Sequence, residues 1–187
     1  MTGEITDLEG KLVSKVEVGK NKGINTVEWG FNALAPKTAK GKGFSIAPAP
    51  YVKAGKYKVK ITKGNEVFEQ MIEVRYDSTS SFTATDRIKQ QECTKELFGM
   101  VEDLAYLVYQ IDEWDAKAQA FKAKNGKPNK TVDALIKELT ALRNILVVTT
   151  GDNYVGAAED QLREKINEIY GTIVGYFGAP SESELAN

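Results

Sequence analysis

The chain of 187 residues contains no histidine and a single cysteine, Cys93. Without histidine it lacks the most common general base and the most common metal ligand. One cysteine rules out an internal disulfide and any CxxC redox or zinc motif. No run approaches the 18 apolar residues of a membrane-spanning helix, and the first residues, MTGEITDLEG, show no basic segment followed by an apolar one, so no signal peptide is visible. Phosphate loop, dinucleotide fingerprint, nucleophile elbow, zinc helix and calcium-loop spacing are all missing. From these absences we expect no metal and no cofactor; they disfavour an enzyme, although a hydrolase can still work with carboxylates alone. Net charge is −1, so nothing global draws the chain to nucleic acid.

What is present divides into two patterns. Up to about residue 77 the chain alternates in the manner of strands. ITDLEGKLV predicts a hairpin turning at Glu9-Gly10. Val27, Trp29 and Phe31 share one face at period two, which makes Trp29 a core residue. Tyr57, Val59 and Ile61 do the same with lysines opposite, and Phe68, Ile72 and Val74 return on the next strand. Gly64-Asn65 between them fits a two-residue type II′ turn with glycine first. About five strands are legible, too few for a full immunoglobulin-like sandwich. Three of the five prolines, Pro36, Pro48 and Pro50, fall in a long loop over 32–56, and loops of that length are often functional or mobile.

DSTSSFTATD (77–86) is the boundary, with Thr83 or Thr85 as helix cap and Asp86 favourable in the first turn. A long helix follows to about Lys124. Leu97, Leu104, Ile111 and Ala118 recur every seven residues, with Met100/Val101, Leu107/Val108 and Trp114 on alternate steps. Gly126 is the expected stop. A second helix over about 131–148, capped by Thr131, and a third over about 156–178, with Leu162, Ile166, Ile169, Ile173 and Phe177 inward, complete an antiparallel three-helix bundle. The fold class is therefore α+β: an antiparallel, partial Ig-like β-sandwich over 1–77, then a three-helix bundle over 78–187.

Several clusters invite a functional reading. Glu102, Asp103, Asp112 and Glu113 fall off the apolar stripe, where charge is the normal dress of an outer helix face. Asp115 falls on the heptad seam and is expected to pair with Arg143 or to sit where the seam opens to water. KTAKGKG with Lys53, Lys56 and Lys58 is a solubilising surface, without the interleaved aromatics of a nucleic-acid site. Phe44 and Tyr51, in the long loop, are the aromatics able to stack on a sugar ring. Asn129-Lys130-Thr131 matches a glycosylation sequon but falls where a helix cap belongs. Gly171 and Gly175 lie opposite the Ile/Phe stripe of the third helix, where small residues admit another backbone or mark a fraying end.

Gly23, Asn25, Val27 and Trp29 in GINTVEWGF, Gly55, Tyr57 and Val59 in AGKYKVKITKGNEVFEQMIEV, and the tail QLREKINEIYGTIVGYFGAPSESEL carry a resemblance. The chain resembles the C-terminal region of large bacterial proteins, notably of Bacteroidetes, that bear sortilin-like, BNR-repeat β-propellers and are labelled glycosyl hydrolases. In them an Ig-like module precedes a helical tail. The propeller's Asp-box pattern is not found here, so the resemblance implies that any hydrolytic residues belong to other parts of such a parent. It implies a non-catalytic accessory module, periplasmic or at the cell surface, that packs on or presents the propeller. A carbohydrate-binding module using the 32–56 loop and a glycosidase working with carboxylates alone are the alternatives.

Overall fold

The computed structural model describes residues 1–43, 45–125, 128–150 and 158–185. The chain is α+β, an antiparallel sheet followed by helices: β1 (Thr2–Thr6), β2 (Leu12–Val16), β3 (Gly55–Lys63), β4 (Glu66–Val74), α1 (Ala84–Asn125), α2 (Lys130–Leu146), α3 (Leu162–Gly175) and the short α4 (Glu182–Leu185). Two compact units result. Unit 1 comprises Met1–Ala35, Ala49–Gln91 and Phe177–Ala179; unit 2 comprises Pro36–Pro48, Glu92–Tyr176 and Pro180–Asn187.

In unit 1 the four strands form one antiparallel sheet in the order β2-β1-β3-β4. The β1–β2 turn is held by Asp7, whose Oδ1 accepts from the backbone N–H of Glu9 at 3.0 Å and of Lys11 at 2.8 Å, while Gly10 takes φ +86°. The β3–β4 turn has Gly64 at φ +59° and Asn65 at negative φ, as type II′ requires. On one face Lys60 stands opposite both Glu4 and Glu69, and Lys56 opposite Glu73. Such opposite-charge neighbours each contribute roughly 0.2–1 kcal/mol and keep that face in water. The other face carries Ile5, Tyr57, Val59 and Ile72 into a core.

That core is closed by irregular chain. The strand expected at 27–31 does not form. Asn25 takes up the local backbone instead, accepting from Asn21 N and donating to the carbonyls of Asn21 and Gly23. Trp29 still reaches the core: it packs edge-on to Tyr57, and its indole N–H donates to Asn32 O at 2.9 Å. Pairing resumes over a short stretch, where Val52 N donates to Phe31 O and Ala33 N to Pro50 O, both at 2.8 Å. Among the described residues there is therefore one sheet, whose core face is closed by irregular chain rather than by a second sheet.

Unit 2 is built on three helices that share a core: Val101, Leu104, Val108 and Ile111 of α1, Leu139 and Leu146 of α2, Ile166, Tyr170 and Val174 of α3. The heptad seam is present, with Leu104, Ile111 and Ala118 buried and Leu97 packed against them, but Trp114 is exposed. Thr83 caps α1, exchanging hydrogen bonds with Asp86. The cap of α2 is Asn129, not Thr131: helix begins at Lys130, and Asn129 Oδ1 accepts from the N–H of Thr131 and Val132. The expected stop at Gly126 lies outside the described residues. α3 ends at Gly175 because Tyr176 turns extended, so Phe177 leaves the helix and belongs to unit 1.

The segment 36–48 lies across these helices as a strap. Ala39 and Ala47 enter the helical core. From α3, Arg163 donates to Ala39 O at 3.0 Å and Gly43 O at 2.5 Å, Asn167 to Ser45 Oγ at 2.7 Å, and Tyr170 to Pro48 O at 2.9 Å. Lys42 N donates to Val148 O. Arg163 is itself paired with Glu164, its Nε 2.7 Å from Oε1, and both are buried, at 5% and 7% exposure. Half of the loop expected to be functional or mobile is thus fastened to α3 at positions 163, 167 and 170, one face of the helix.

Candidate ligand-binding site

A pocket of about 340 Å³ lies within unit 1, at the lower end of the range for small-molecule sites. Several pieces of chain build it. The paired stretches around Phe31 and Tyr51 give one wall. The exit of β4, from Glu73 to Asp77, gives a second. Arg87 reaches in from the start of α1, and Phe177 arrives from beyond the end of α3.

Its lining is aromatic. Tyr51 and Phe177 have ring centroids 5.1 Å apart, and Phe31 sits 5.3 Å from the core residue Trp29. Large fractions of these rings face solvent: 52% of Phe31, 42% of Tyr51 and 37% of Phe177. Phe31 also holds φ at +56°, the one described non-glycine residue with positive φ. Such backbone costs of order 1–3 kcal/mol and concentrates at functional sites.

Of the two arginines in this lining, Arg75 is paired with Glu73, and Arg87 lies against the rings. Its guanidinium carbon lies 4.1 Å from the Phe177 ring centroid and 5.6 Å from that of Tyr76, a cation–π arrangement on two rings. Tyr76 is fixed in turn by donating to Gln91 Oε1 at 3.1 Å. Burial pushes the Arg87 pKa down and the neighbouring tyrosines pull it back up, yet an arginine stays charged. Its Nη1 is buried and has no hydrogen-bond partner. The two acids at the rim are otherwise engaged. Glu73 accepts from Arg75 at 2.7 Å, and Asp77 accepts from the hydroxyl and N–H of Thr79. These hydrogen bonds hold both carboxyls below their ordinary range, the opposite of the raised value a general acid needs.

Of the residues picked from sequence, Tyr51 lies in this pocket and Trp29 in the core beneath it. Phe44 lies outside the described residues. In unit 2 Arg143 pairs with Asp112 rather than with Asp115: Nε–Oδ1 is 2.5 Å and Nη2–Oδ2 is 3.4 Å, and Nη2 also donates to Lys40 O. Asp115 is one helical turn further along, and its Oδ1 is buried without a hydrogen-bond partner. A Cβ at Gly171 or Gly175 would meet nothing within 4 Å among the described residues. A larger groove, about 810 Å³, runs along α1 beside the strap and exposes Tyr106 and Tyr109. Three of its acids have partners, Glu102 with Lys37 N, Asp112 with Arg143 and Glu113 with Lys117.

Arg87, Tyr76 and Phe177 carry no sequence signal as a group, because the pocket joins positions more than a hundred residues apart. The one available hint was GYFGAP (175–180), where glycine and proline on both sides argue against continued helix.

Among the described residues no cluster of three histidine, cysteine or acidic side chains is placed to hold a metal ion, and no helix is long and apolar enough to cross a membrane. Comparison of the chain with protein-family models, with curated proteins and with solved structures gives no match.

Proposed function

We propose that the chain is a non-catalytic accessory module of a larger exported protein carrying a BNR-repeat propeller, and that it holds a glycan in the aromatic pocket of unit 1. The observation that carries this is the gathering of three part-exposed aromatic residues, Phe31, Tyr51 and Phe177, in one pocket whose lining also holds the Arg87 guanidinium. Flat ring faces with few polar groups suit the C–H face of a sugar ring. With both rim acids tied into hydrogen bonds, the site is suited to holding a ligand rather than transforming it. The parent protein and its location outside the cytoplasm come from the resemblance of the strand and tail motifs.

Titration of the full chain with a panel of oligosaccharides, followed by amide chemical shifts, tests the reading. Binding to at least one member, with shifts at Tyr51 and Phe177 and loss in Tyr51→Ala, is expected. A flat response across the panel removes it.

Packing on the propeller is a second reading, favoured by a different surface. Met100, Leu107, Trp114 and Phe121 of α1 stand seven residues apart and are all exposed, a spacing that lines them along one helix face. Deletion of this region from the parent with no loss of its stability or activity would dismiss that role.

A further inference from the structure

We infer that the pocket of unit 1 selects an acidic saccharide, one whose carboxylate is received by Arg87 while its ring lies on Tyr51 and Phe31. The inference rests on the glycan reading of the same pocket and adds the charge of the ligand.

The argument starts from what Arg87 lacks. A guanidinium drawn out of water normally acquires a carboxylate, because a buried charge without a partner is costly. Arg87 is partly buried against Phe177 and Tyr76, yet no carboxylate of the described residues lies within ion-pair distance of it. The two acids that line the same pocket are bound to Arg75 and Thr79. Ring faces compensate the cation in part, but they offer no acceptor to Nη1, which is left buried without a hydrogen bond. An anionic oxygen acceptor entering the pocket would supply the partner that the described residues do not. A planar fork of donors matches a carboxylate better than it matches a hydroxyl. The exposed rings of Tyr51 and Phe31 line the same pocket, which suits a ligand joining a carboxylate to a non-aromatic ring, as a hexuronic acid does.

The test compares three ligands of equal length against the full wild-type chain by calorimetry: a galacturonate trisaccharide, its methyl ester, and the neutral galactose trisaccharide. A charge-assisted hydrogen bond predicts that the acid binds about tenfold or more tightly than the ester. In Arg87→Gln, with folding verified by circular dichroism, acid and ester are expected to bind with the same affinity. Equal affinity for acid and ester on the wild-type chain overturns the inference while leaving the glycan reading intact. Failure of all three to bind counts against both. Should Arg87→Gln not fold, the acid-to-ester ratio on the wild-type chain still decides.

Discussion

The guanidinium of Arg163 lies directly over Gly41: a Cβ at position 41 would stand 2.7 Å from Cζ and 2.8 Å from Nη1. The glycines of KTAKGKG are thereby explained, because the strap must pass closely over a charged group that cannot retreat. Arg163 is held by Glu164 on one side and by the carbonyls of Ala39 and Gly43 on the other. Gly41→Ala should therefore destabilise unit 2 by about 1–3 kcal/mol, the usual cost of overpacking. Gly171→Ala is the control: space around it is open, and alanine in a helix interior gains roughly 0.5–1 kcal/mol over glycine. Urea midpoints of the two variants should move in opposite directions, and a fall for both would refute this account of the glycines.

Removing the cation should cost more than crowding it. Arg163→Ala leaves Glu164 buried without its partner and two strap carbonyls without their donor. Loss of one member of a buried pair typically costs about 3–5 kcal/mol. Limited proteolysis adds a local readout, with new cleavage within 36–48 expected before the helices are cut. A variant that melts like the wild type with an uncut strap would show that this fastening contributes little.

The difference between what was legible in the sequence and what was not follows from the range of the interactions. Alternation over 57–61, the Gly64-Asn65 turn and the Leu104–Ile111–Ala118 seam are local patterns, and each appears where its period placed it. The strap reads only as loop, because its acceptors, Ser45 Oγ apart, are backbone oxygens of Ala39, Gly43 and Pro48, which have no side-chain signature. Their donors lie more than a hundred residues away on α3. The period of Val27, Trp29 and Phe31 points Trp29 to the core, where it packs, yet no strand forms around it, and Asn25 hydrogen-bonds the local backbone instead. Arg87 has no signature in the sequence, because Phe177, the ring it lies against, is ninety residues away.

Helix phase alone suggested that Asp115 would meet Arg143, and the structure reverses the roles of two acids on neighbouring turns. Asp112 takes the guanidinium, and the Oδ1 of Asp115 is left buried without a partner. Asp112→Asn should cost about 1 kcal/mol, the scale of a part-exposed charged hydrogen bond. Asp115→Asn should be neutral or stabilising, because it removes charge from an unpaired buried oxygen. Chemical denaturation of both single variants and the double variant separates the cases; a larger loss at Asp115 than at Asp112 would restore the pairing read from the heptad.

Alkaline pH should loosen both units through two tyrosines. Burial raises the pKa of Tyr57 in unit 1, and raises that of Tyr170 further in unit 2, where it is fully enclosed and donates to Pro48 O. A raised value means that the folded chain holds the proton more tightly than the unfolded chain, whose tyrosines ionise near pH 10. The stabilisation is therefore complete below about pH 10 and is lost as pH rises from there towards the folded value, at no more than about 1.4 kcal/mol per pH unit for each tyrosine. Tyr170→Phe deletes one of the two contributions. It should lower stability by about 1 kcal/mol at pH 8, where Pro48 O loses its donor, and then decline less steeply than the wild type between pH 10 and 11.5. Lysines also titrate in that range, but they are common to both proteins, so the difference in slope isolates the phenol. Parallel stability curves for the variant and the wild type would mean that the Tyr170 hydroxyl is not kept protonated by its burial.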